Sequence, residues 1–229
     1  PQTAQYIAKV LLIEEGGRPH RKTPRTMAIM RDTENHILMT NISQYLKNQW
    51  LWQHGNSDVR FNNLENGLEE FLLDNLEELQ LTGQYEFNSK PYEGYTLSAL
   101  LILQSYCASD KLKAKATETL NSICWEYMLT SSEFRKSSPF RRRMARHKNT
   151  SLTDNPSSSM MKAWFLEHEK GKFGLDDIPY NHHQALSAIV YDYRPPVEIW
   201  DVDDSERFIQ IGHGYGSSPE IYSRGKGFM

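Results

Sequence analysis

Residues 95–129 read YTLSALLILQSYCASDKLKAKATETLNSICWEYML, and this stretch decides the fold class. Its first part, residues 95–108, is almost wholly apolar: Leu97, Ala99, Leu100, Leu101, Ile102, Leu103, Tyr106 and Cys107 leave no polar face on a helix. Such a helix is buried on all sides, as in the inner layer of a large helical assembly. Ser109-Asp110 signals a tight turn. Beyond it Leu112, Ala116, Leu120, Ile123, Cys124 and Tyr127 recur at helical spacing. So short a connection makes the pair an antiparallel αα-hairpin. The two cysteines lie on its arms, roughly 20 Å apart at about 1.5 Å of rise per residue. A disulfide needs Cα atoms within about 7 Å, so two free, buried thiols are expected.

Upstream, residues 62–80 carry an apolar stripe of Leu64, Leu68, Phe71, Leu72, Leu76 and Leu79. Glu65, Glu69, Glu70, Glu77 and Glu78 face the other way, and Gly83 is a stop signal. Residues 33–51 also read as a helix, with Thr33 as a candidate N-cap and Leu38, Ile42, Tyr45, Leu46 and Trp50 spaced by three and four. Before it, Ile7 to Ile13 is a short apolar run, helix end or strand, and Arg18 to Arg25 a basic loop. Downstream, Ser131 to Ser138 reads as a polar loop, Met160 to Glu169 as a short helix, and Ala185 to Tyr191 as helix or strand. Val197 to Trp200 and Arg207 to Ile211 read as short strands or extended loops. The expected organisation is a helical, toroid-like domain over 1–193, then an extended or β-containing segment over 194–229, standing alone or as the start of a further β domain. With Pro1 at one end and Gly-Phe-Met at the other, a longer protein is expected.

The longest apolar run, Leu97 to Leu103, is far short of the about 20 residues a membrane span needs, so no membrane partner is expected. A net charge of −3 selects no partner by itself. Seven positive charges nevertheless fall within residues 135–148, including Arg141, Arg142 and Arg143. They would suit phosphates, the acidic groups of a glycan, or simple solvation. No nucleic-acid motif accompanies them, so a nucleic acid is not an expected partner. Glu167, His168, His182, His183 and His213 invite a metal reading, but no HExxH-like spacing exists; neither a metal nor another cofactor is expected. His213, within Gly212-His213-Gly214, is a candidate to reach a cleft from a loop.

Two polar clusters open helices. Arg31-Asp32-Thr33-Glu34-Asn35-His36 gathers a cation, carboxylates, an amide and an imidazole at a helix start, where backbone N–H groups favour an anion. Capping and solvation would also explain it. Pro91-Tyr92-Glu93-Gly94-Tyr95-Thr96 opens the most apolar helix, where polar groups must be satisfied or functional.

Asn35-His36 followed by Tyr95, 59 residues beyond His36, resembles the polysaccharide lyases with an (α/α) toroid fold, especially the alginate lyases. In those, an adjacent Asn-His pair starts one helix and a catalytic Tyr starts an inner helix downstream. The resemblance covers about residues 30–130 and rests on short motifs and on the order of polar and apolar segments. It implies helical hairpins of an (α/α) toroid, complete or not, and β-elimination on a uronate-containing polysaccharide or oligosaccharide. Asn35 and His36 would hold the uronate carboxylate and offset the enolate charge. Tyr95, or Tyr92 in its place, would move the proton. Arg31, Arg141, Arg142, Arg143 and His213 would help to bind substrate. A secreted or periplasmic setting would follow.

Glu34 directly before Asn35, and Glu93 two residues before Tyr95, depart from that arrangement. Toroids also host glycoside hydrolases that work with two carboxylates, and Asp32, Glu34 and Glu93 are candidates for such a pair. A helical domain that only binds glycan or protein is the third reading.

Overall fold

The computed structural model describes residues 19–22, 27, 29–90, 92–136, 152–171, 182–203, 205–214, 216 and 218–229, with isolated Gln2 and Tyr6. The run Ile7 to Ile13 and the arginines Arg141, Arg142 and Arg143 lie outside the described residues.

The chain is mainly helical. In order come α1 (Glu34–Gln53), a 3-10 turn (Val59–Phe61), α2 (Leu68–Thr82), α3 (Glu93–Tyr106), α4 (Asp110–Leu129), β1 (Ser131–Ser132), β2 (Arg135–Lys136), α5 (Pro156–Lys170), α6 (His182–Val190), a second 3-10 turn (Val197–Asp201), β3 (Arg207–Ile211) and β4 (Glu220–Arg224). β1–β2 and β3–β4 are separate antiparallel pairs. The latter is in register from Arg207 opposite Arg224 to Ile211 opposite Glu220.

The α3–α4 hairpin forms as expected. Ser109 caps α4 by accepting a hydrogen bond from the Leu112 N–H, a contact worth about 1 kcal/mol. Leu97, Leu100, Leu101 and Leu103 are buried against Leu68, Leu72 and Leu76 of α2 and Leu112 and Leu120 of α4 in one core. Cys107 and Cys124 are free and buried. Asn155 accepts from the Ser158 N–H at the start of α5, and Pro156 sits where its missing N–H costs nothing.

Other readings need correction. Leu64 is exposed outside α2, because Gly67 adopts a left-handed φ of 78° and sets the helix start one turn later. Trp50 and Tyr106 are exposed despite their helical spacing. Val197 to Trp200 is a 3-10 turn rather than a strand, with Pro196 as its N-cap. The polar loop after α4 closes as the small β1–β2 hairpin, turning through Glu133 and Phe134, both at positive φ.

Helices α1, α3, α5 and α6 share a polarity. Gln49 donates to the Tyr106 carbonyl, so α1 and α3 end together. A Cβ on Gly94 would lie 2.4 Å from Pro156 and 3.1 Å from Gln184, so α3, α5 and α6 begin together. In the chain, α2 and α4 make the return runs, α2 ending beside the start of α1. One end of the molecule therefore gathers the first turns of α1, α3, α5 and α6, and the 83–92 loop lies there.

Candidate active site

At that end lies a cleft of about 650 Å³ between the start of α1, the end of α2 and the loop before α3. That volume suits a small ligand or a sugar unit or two. Its lining includes Arg31, Asp32, Glu34, His36, Tyr85 and Tyr92.

His36 is its most accessible titratable group, with a side chain 60% exposed. One turn before it, buried Asp32 fixes the ring: Asp32 Oδ1 lies 3.3 Å from His36 Nδ1. The spacing of four residues brings the two side chains together. The other oxygen of Asp32 meets His20 Nε2 at 2.7 Å, and the Thr33 N–H donates to Oδ1. Burial pushes Asp32 up, but those hydrogen bonds outweigh it and hold the carboxyl below its ordinary value. An ionised carboxylate therefore stands behind the imidazole, as in the base-and-orienter pairs of proton-transfer enzymes.

Glu34 does a different job. Its carboxylate accepts from the Tyr85 and Glu86 N–H groups at 2.8 and 3.0 Å, tying α1 to the loop that delivers Tyr92. Desolvation drives this carboxyl up to about 7 against those two bonds, and the charges of Glu86 and Glu93 add to the rise. Arg31 reaches Glu78 with Nη1 at 3.0 Å and Nη2 at 2.6 Å, and Nη2 also approaches Asn75.

The sequence candidates divide. Arg31, Glu34, His36 and Tyr92 line the cleft together. Asn35, next along the helix from Glu34, points inward: it is 1% exposed and its Oδ1 has no hydrogen-bond partner among the described residues. Adjacent helical residues do not share a face, so the doublet splits between cleft and interior. Tyr95 is exposed and is not part of the cleft lining, its ring centroid 6.4 Å from that of Tyr92. Glu93 is buried on the Lys136 ammonium at 3.3 Å. His213 is buried too, stacked on Phe87 with centroids 3.5 Å apart and bonded to Glu220 at 3.0 Å, so it does not reach the cleft from a loop.

Of the residues first considered for a metal, Glu167 pairs with Arg194 and His168 stacks on Trp200, while the side chains of His182 and His183 lie outside the described residues. Sequence reasoning missed His20 and the orienting role of Asp32. The Asp-x-x-x-His spacing in a first helical turn was the available signal for the second; nothing marked His20. No described helix is long and apolar enough to cross a membrane. Comparison of the chain with protein-family models, with curated proteins and with solved structures found no match in any of the three.

Proposed function

We propose that this chain cleaves an acidic, uronate-containing polysaccharide by β-elimination, on a scaffold that is a whole or partial (α/α) toroid. One observation carries the reading: an Asp-held, exposed imidazole, a phenol and a guanidinium line the same sugar-sized cleft. The common polarity of α1, α3, α5 and α6, with α2 and α4 returning, supports the layered scaffold.

The chemistry needs three groups. Arg31 faces the uronate carboxylate and offsets the charge that builds on it as the enolate forms. His36 takes the C5 proton, because its ring is exposed on the cleft and Asp32 stabilises the resulting cation. Tyr92 delivers its phenolic proton to the glycosidic oxygen as the C4–O bond breaks. The C5–H electrons become the C4–C5 double bond, and the leaving sugar departs as an alcohol. The phenolate then recovers a proton from the imidazolium or from water.

Hydrolysis remains the second reading, because Asp32 and Glu34 have pKa values pushed in opposite directions, the pattern of an acid and a base. Against it, both oxygens of each carboxylate are already engaged, by two histidines and by two backbone N–H groups.

The deciding experiment incubates the chain with uronate polymers and follows ultraviolet absorbance and reducing ends together. Elimination raises both; hydrolysis raises reducing ends alone. Tyr92→Phe and His36→Ala are each expected to lower turnover by about 10²–10⁴ with the fold intact. Unchanged turnover in both variants, or no absorbance with any polymer, would overturn the proposal, and retained polymer affinity without turnover in the parent chain would favour the binding-domain reading.

A further inference from the structure

Independently of the cleft, we propose that Glu126, His213 and Glu220 form a divalent-metal site of the zinc type, with Asn88 Oδ1 as fourth donor, clasping the C-terminal hairpin to α4. One donor atom from each of the first three lies within 4.8 Å of the others. Zinc–ligand bonds of about 2.0–2.2 Å would draw donors at that spacing together with small rotations.

The imidazole is aimed for the purpose. A Cβ on Gly83 would come within 3.1 Å of His213 Nδ1, so that nitrogen faces the end of α2. Nε2 points the other way, toward Glu220 Oε2 at 3.0 Å. The ring is fixed between these and the Phe87 face, with its side chain 2% exposed.

Two further observations point to a ligand. Asn88 is 1% exposed, and its Nδ2 donates to Glu220 Oε1, yet its Oδ1 has no hydrogen-bond partner among the described residues. The amide thus meets Glu220 through its nitrogen while its buried oxygen lacks a donor, and a cation held by the trio would satisfy that oxygen once the amide turns toward it. The Glu126 carboxylate feels His213, Glu220 and Lys136 through their charges, and one of its oxygens lies within 4.8 Å of a donor atom of each of the other two ligands. The cation Lys136 bonds Glu93 at 3.3 Å and acts on Glu126 only through its charge. One nitrogen with two carboxylates and an amide oxygen suits zinc better than the all-oxygen shells of calcium or magnesium.

The test uses the whole chain, stripped with chelator and then titrated with zinc chloride alone. Bound metal per chain and thermal unfolding are measured together. About one zinc per chain, with a rise in Tm of several degrees that chelator reverses, is expected. Glu126→Gln should abolish both, while Asn88→Ala should weaken binding by about tenfold, the usual scale for one supporting group. Absence of stoichiometric zinc in the parent chain would overturn the proposal, leaving His213–Glu220 as a plain hydrogen bond. Undiminished binding in Glu126→Gln would overturn it equally.

Discussion

His36 and His213 each meet a carboxylate at hydrogen-bond range, yet the two pairs occupy opposite settings. His36 is mostly exposed on an open cleft, with its carboxylate behind it. His213 is shut between Phe87, the end of α2 and Glu220, beside the buried Lys136–Glu93 pair. In the cleft the ionisable groups can exchange protons with a bound molecule. In the interior they can only neutralise one another or hold an ion, and an error in that accounting costs several kcal/mol. Similar chemistry thus lies open to a bound molecule in one region and is shut away in the other, with solvent access as the deciding variable.

The sharpest way to break that contrast is to remove the interior cation. Lys136 and Glu93 are 4% and 5% exposed, and they join β2 to the start of α3. Burial by itself disfavours the ammonium, but the carboxylates of Glu93 and Glu126 outweigh it and raise Lys136 above its ordinary value. Lys136→Met strands those carboxylates and should cost about 3–5 kcal/mol in urea unfolding. The double variant Lys136→Met with Glu93→Leu should recover most of the loss. A cost under about 1 kcal/mol for the single variant would mean that water reaches Glu93 and that the interior setting is not closed.

A smaller effect comes from the floor of the cleft. Glu34 is raised from 4.5 to about 7. A carboxyl whose folded pKa exceeds its unfolded one favours the native state below the unfolded value. That advantage is lost as pH rises from about 4.5 through 7. The stability of the parent chain relative to Glu34→Gln should therefore fall by on the order of 3 kcal/mol across that window. Chemical denaturation of both chains at several pH values reads this difference directly, since all other groups cancel. A flat difference would show that solvent or the two backbone N–H donors keep Glu34 ionised throughout.

Local pattern carried the helical framework. The leucines of α3 and α4 and the capping Ser109 are near in sequence, and helical periodicity made them legible. Cleft membership was only partly legible. Which of Tyr92 and Tyr95 faces the cleft depends on the phase of one turn against the 83–92 loop, and that loop is held by Glu34 from 51 and 52 residues away. Lys136 read as part of a basic run, since nothing local announces a partner on another element; Glu93 is 43 residues distant. The trio Glu126, His213 and Glu220 was hidden for the same reason. Helix α4 and the β3–β4 hairpin are far apart along the chain, so no spacing rule joins them.

The smallest effect is the exposed counterpart of the Lys136–Glu93 pair. Arg31 and Glu78 meet in a two-pronged contact on the cleft rim, with side chains 50% and 35% exposed. Water already solvates both ions, and ordering two long side chains offsets much of their attraction, so Arg31→Ala should cost under about 1 kcal/mol of stability. About 0.5 M salt should shrink even that, because the screening length then falls to a few ångströms. The functional effect should run the other way. If Arg31 faces the uronate, its loss raises KM for an acidic polymer while hardly touching stability, and Glu78→Gln, which removes the competing charge, lowers it. Kinetics of the two variants at low and high salt would test this. Equal KM in both would mean that Arg31 takes no part in binding and that another cation receives the acidic group.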